Sequence, residues 1–101
     1  MTSKTTPMEI KDNTFLRQFE VTINDQLLSI EYSLQERKIF LTKLNVPDNF
    51  DNEEIINEFL ISVLEIIKEQ NIKVVPTAVK IVKFFRKNPS YKEMLPVGIV
   101  I

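Results

Sequence analysis

The chain has 101 residues, 44% hydrophobic and 27% charged, with a formal net charge of −1, which fits one globular domain. It contains no Cys, no His and one Gly, Gly98, so a disulfide framework, a Cys/His zinc site, a cysteine nucleophile and a histidine base are all excluded. Neither a phosphate-binding loop nor a dinucleotide fingerprint can be written without internal glycines, and a pI near 5.5 argues against a generic nucleic-acid binder.

Residues 1–12 are polar, lack the apolar stretch of a signal peptide and read as a frayed end. The most apolar run, residues 55–67, is broken by Asn57, Glu58, Ser62 and Glu65 and falls short of a bilayer span. The expectation is a soluble, cytoplasmic protein with no membrane partner.

From Phe15 to Leu44 the apolar period is two. Phe19, Val21 and Ile23 alternate with Glu20 and Thr22, the pattern of a strand with one buried face. Asn24-Asp25 marks a tight turn, because both residue types tolerate left-handed backbone. Leu28, Ile30 and Tyr32 make a second strand, Gln35-Glu36-Arg37 a second turn, and residues 39–44 a third strand. Three strands joined in this way predict an antiparallel meander.

After Pro47 the period changes. Ile55, Ile56, Phe59, Leu60, Val63, Leu64 and Ile67 recur at helical spacing, with Glu54, Glu58, Glu65 and Lys68 on the other side. Asp51 is placed to cap this helix with Glu54, Phe50 and Ile55 are spaced as a hydrophobic staple, and Asn71 is suited to a left-handed stop. Residues 72–75 are β-branched and short, predicting a buried strand that a right-handed crossover sets parallel to residues 39–44. A second helix is predicted over residues 77–87, ended by Asn88-Pro89. The apolar tail, residues 96–101, reads as a last strand, a docked end or a contact for a homo-oligomer. The fold class is α/β, an α+β mixed sheet, with a domain over residues 13–95.

Two charged stretches stand out. Asp48, Asp51, Glu53, Glu54 and Glu58 surround the start of the long helix, where carboxylates complement the helix dipole; their spacing matches no calcium loop. Lys73, Lys80, Lys83, Arg86, Lys87 and Lys92 fall in a stretch without acids. Lys80, Lys83 and Lys87 share one face of the second helix, either as a solvated face or as an anion or partner site. The two stretches are set to attract one another within or between chains. Phe84 and Phe85 read as core, and Tyr91 is a candidate proton donor.

The strings Arg17-Gln18-Phe19-Glu20-Val21-Thr22-Ile23-Asn24-Asp25, Ile30-Glu31-Tyr32, Val46-Pro47, Asn71-Ile72-Lys73-Val74-Val75-Pro76 and Phe84-Phe85-Arg86-Lys87-Asn88-Pro89-Ser90-Tyr91 occur in this order. Together they resemble the small single-domain branch of the GNAT acetyltransferase superfamily over residues 13–95. The resemblance implies acetyl-coenzyme A lying in a splay between two parallel strands. It also implies attack of an amine acceptor on the thioester, with backbone N–H groups stabilising the oxyanion.

It further implies cofactor-binding positions at Asn45, Val46, Asn52, Glu53, Glu54, Ile55 and Ile56, with Lys83, Arg86 and Lys87 available for the coenzyme's phosphates. Tyr91 would be the acid, and Glu54 or a water the base. The family's His-Thr-Glu before Val-Pro is replaced by Lys43-Leu44-Asn45, its Gly-Arg-Gly-x-Gly turn by residues 52–56, and its cysteine by Ala78. Three readings follow: a GNAT-fold protein with a degenerate coenzyme site, a working N-acetyltransferase with a divergent site, and an interaction module using the basic second helix or the tail.

Overall fold

A computed structural model of the chain describes residues 8–99 and residue 101. Its five strands are β1 (Lys11–Asn13), β2 (Gln18–Ile23), β3 (Gln26–Gln35), β4 (Lys38–Asn45) and β5 (Lys73–Pro76), in the order β1-β2-β3-β4-β5. The first four are antiparallel, and β5 is parallel to β4 with Ile39 opposite Val74, as the crossover argument requires. Helix α1 (Glu53–Glu69) makes that crossover, α2 (Val79–Lys87) follows β5, and Pro89–Met94 forms a 3-10 turn. Among the described residues no helix is long and apolar enough to cross a membrane.

The hairpins turn where the sequence permits positive φ. Asn24 and Asp25 have φ of 49° and 65°, and Glu36 and Arg37 have 49° and 66°. Two consecutive positive values give the turn type whose twist matches the flanking strands. Asn71, at φ 62°, ends α1 in the left-handed region as its side chain predicts.

One face of the sheet carries the core. Phe19, Val21, Leu28, Ile30, Tyr32, Ile39, Leu41 and Val74 cluster with Ile56, Phe59, Leu60, Val63, Leu64 and Ile67 of α1 and with Ile81, Phe84 and Phe85 of α2. Each such side chain contributes about 1.5–3 kcal/mol on burial, so this one-sided layer dominates stability.

Three expectations are corrected. Residues 11 and 12 are not frayed: they pair with Glu20 and Phe19, and the Tyr32 hydroxyl donates to Asp12 Oδ1 at 2.6 Å. Met8 and Ile10 also pack against the core; residues 1–7 lie outside the described residues. The cap of α1 is Asn52, one residue after Asp51. A turn in which Phe50 N donates to Pro47 O carries the chain so that Asn52 Oδ1 receives the Ile55 N–H at 3.3 Å. The tail forms no strand over its described residues: Ile99 N bonds Pro96 O, Gly98 takes φ 94°, and Ile101 docks half-buried on the core. Val100 lies outside the described residues.

Truncating Phe59, which is fully buried, is expected to cost about 3–5 kcal/mol as Phe59→Ala in urea unfolding. Burial first, then the hydrogen bond to Asp12, push the Tyr32 phenol from 10.0 up to about 12. The fold therefore favours the protonated phenol, a contribution complete below pH 10 and lost as pH rises towards 12. Alkaline unfolding curves of wild type should fall through this window, and those of Tyr32→Phe should fall less steeply.

Candidate functional site

Strands β4 and β5 run together only as far as Leu41 opposite Pro76. Pro76 has no N–H to offer, and the next two amides, Thr77 N and Ala78 N, both close on Leu41 O at 3.0 and 3.2 Å before α2 begins. Strand β4 continues to Asn45 while paired only with β3. Its pairing jumps from Tyr32–Leu41 to Glu31–Lys43, which leaves Thr42 as a bulge whose hydroxyl donates to Glu31 O at 3.2 Å. A bulge bends its strand and increases its twist, so β4 leans away as β5 ends. The parallel strands splay at this point.

The N-terminus of α1 and the length of α2 border the splay, and between them lies a cleft of about 300 Å³. Leu44, Ile56, Leu60 and Phe84 supply apolar lining, Glu53 and Asn57 the α1 wall, and Lys80, Lys83, Lys87 and Asn88 the α2 wall. Lys80 Nζ stands 4.0 Å from Glu53 Oε2, an exposed contact across the cleft worth at most about 1 kcal/mol. A hollow of about 330 Å³ at the β1–β2 edge is slightly larger, but it lies at the other end of the strand order and is not bordered by the splay.

The cleft brings together four of the residues predicted from sequence: Glu53, Ile56, Lys83 and Lys87. The others lie elsewhere. Asn45 turns to the opposite sheet face, where its amide donates to Ser29 Oγ at 3.1 Å and Glu31 Oε2 at 2.8 Å. Val46 is half-buried against the core. Asn52 caps α1, Ile55 donates the N–H that the cap receives, and Glu54 is exposed in the first turn. Arg86 is exposed on α2 and does not line the cleft.

Tyr91 packs on Phe84, ring centroids 5.7 Å apart, and lines a separate groove with Glu65 and Lys68. Burial, and secondarily the Glu65 carboxylate, raise its phenol above the ordinary value, so it is protonated at neutral pH. Glu65 lies eleven positions beyond Glu54 on α1, about 16 Å along the axis, so Tyr91 and Glu54 do not meet. The cleft is also lined by Asn57, Leu60 and Lys80, which the sequence-derived positions do not include. Their signal is helical spacing, since Asn57 and Leu60 lie four and seven residues after Glu53, and Lys80 lies three before Lys83.

A mixed sheet whose two parallel strands part at a bulge, with helices covering one face, is the architecture of a GNAT-class protein. The chain belongs to the GCN5-related N-acetyltransferase family, whose sequence profile matches residues 18–94. A Staphylococcus aureus protein described as GCN5-like, with a solution structure determined by NMR, superposes with a TM-score of 0.68 at 21% identity, covering 91% of each chain. No curated protein matches the sequence.

The position of the cap is open to test by stability. Asn52→Ala should cost about 1 kcal/mol in urea unfolding, while Asp51→Ala should change stability by less than about 0.5 kcal/mol. Equal effects would return the cap to Asp51.

Proposed function

We propose that this is a GNAT-fold protein whose acetyl-coenzyme A site has degenerated, so that acetyl transfer to an amine is weak or lost. One observation carries the reading: at the start of α1, beside the splay, the Asn52 side chain takes one of the first-turn amides and two carboxylates stand beside the others. A helix N-terminus holds a phosphate through free amides and bare backbone. Here Asn52 Oδ1 takes the Ile55 N–H, Ile56 N is bonded to Asn52 O, and Glu53 and Glu54 stand in the first turn. Ile56 cannot give way, because its side chain is buried in the core.

The energetics point the same way. At an effective dielectric near 20, a carboxylate about 6 Å from a phosphate charge costs on the order of 2–3 kcal/mol. Two of them remove much of the roughly 8 kcal/mol of a micromolar complex. Exposed glutamates can swing outwards, so the result is weak binding rather than a steric bar. In a working transferase Tyr91 would be the acid and Glu54 or a water the base; the separation along α1 disfavours the version that pairs Tyr91 with Glu54.

Calorimetric titration of the purified protein with acetyl-coenzyme A should give a Kd no tighter than about 1 mM. Replacing both carboxylates, Glu53→Gly with Glu54→Gly, should tighten it at least about tenfold, equivalent to 1.4 kcal/mol. Micromolar binding by wild type, with amide shifts confined to residues 46–56, would overturn the proposal.

A further inference from the structure

The cleft has a second wall, on α2, that the capped start of α1 does not explain. Lys80, Lys83 and Lys87 line its α2 wall over about 10 Å of helix, facing a single carboxylate, Glu53. Beneath them the lining is apolar, from Leu44, Leu60 and Phe84. Lys87 stands in the last turn of α2, at the helix end whose dipole favours cations. Lys80 does not: it sits in the first turn, which holds no acid of its own, where a cation opposes the dipole. The helix dipole therefore accounts for Lys87 and not for Lys80, nor for Lys83 at the middle of the helix.

We propose that this cleft binds a small phosphomonoester with a compact apolar body. Such a group carries a charge of about −1.5 to −2 at neutral pH, which matches three ammonium groups set against one carboxylate better than a single carboxylate ligand would. The volume, about 300 Å³, lies at the lower end of small-molecule sites and encloses a compact ring or short chain rather than a whole coenzyme. The apolar body rests on half-buried Leu44 and on the edges of Leu60 and Phe84 that reach the cleft, and the phosphate meets Lys83 and Lys87. Lys80 joins them by leaving Glu53, a contact of 4.0 Å between two exposed groups that yields readily. The proposal goes beyond the degenerate-coenzyme reading, because it uses the α2 wall rather than the capped amides of α1.

The test is an amide-shift titration of the ¹⁵N-labelled chain with three probes: phenyl phosphate, inorganic phosphate and benzoate. Phenyl phosphate should saturate with shifts concentrated at residues 53–60 and 80–88, and should bind about tenfold more tightly than either partial probe. Lys83→Gln with Lys87→Gln should weaken it by about tenfold, and Glu53→Gln should strengthen it by about threefold. In wild type, nuclear Overhauser contacts should join the phenyl ring to Leu60 and Phe84, a readout that needs no variant. Equal affinity for the three probes, shifts spread over all surface lysines, or no ring contacts with Leu60 and Phe84 would overturn the site. Acetyl-coenzyme A is absent from these titrations, so this result and that of the coenzyme titration fail separately.

Discussion

The parting of β4 from β5 at Leu41 is the constraint on which the rest of the structure depends. It arises from three local features: a proline that ends β5, a threonine that bulges β4, and two amides that close on the Leu41 carbonyl. With the ladder stopped, the chain after β5 must leave the sheet, and α2 begins three residues after Pro76. Helix α1 enters from the far end of β4. The wedge is bounded by the two helices because the same core that buries Ile56 and Leu60 also buries Ile81 and Phe84.

Residues 52–56, where the family resemblance implies a glycine-rich turn, favour the helix. Each glycine in a helix costs about 1 kcal/mol relative to a good helix former, and a cradle of free amides leaves the first turn without a cap. This chain instead has Asn52 as cap, Glu53 and Glu54 against the dipole, and Ile56 in the core. The start of α1 is thus built for helix stability. A site held open for phosphate requires the opposite choices, so gain in one is loss in the other.

Much of the fold could be read from periodicity, because it rests on one-sided burial. Strands β2 to β4, both hairpin turns, α1 with its Asn71 stop, and the parallel β5 all follow from the spacing of apolar residues and from turn chemistry. β1 was not legible: three residues held by pairing, with Asp12 receiving the Tyr32 hydroxyl, leave no period to detect. The cleft lining was legible where it lies on helices, as with Glu53, Ile56, Lys83 and Lys87. Asn45, which the family resemblance put at the coenzyme site, lies on the other sheet face from the cleft for a definite reason. Strict alternation from Ile39 and Leu41 would carry residues 43 and 45 to the core face, but the Thr42 bulge inserts one residue and brings Leu44 there instead. A register change of this kind leaves no mark in composition.

The same parity change decides what the cleft can bind. Without the bulge, Lys43 and Asn45 would line the wedge, and Leu44 would lie on the open face with Ser29 and Glu31. With it, Asn45 is spent on Ser29 and Glu31, and the floor under the α2 lysines becomes apolar. A cation row over a polar, solvated floor holds anions loosely and without preference. Over half-buried Leu44 and the edges of Leu60 and Phe84 the same row adds a preference for an apolar body, at about 25 cal/mol for each Å² of apolar surface that the body covers. The cleft's selectivity thus depends on one inserted threonine, which lies outside the cleft lining.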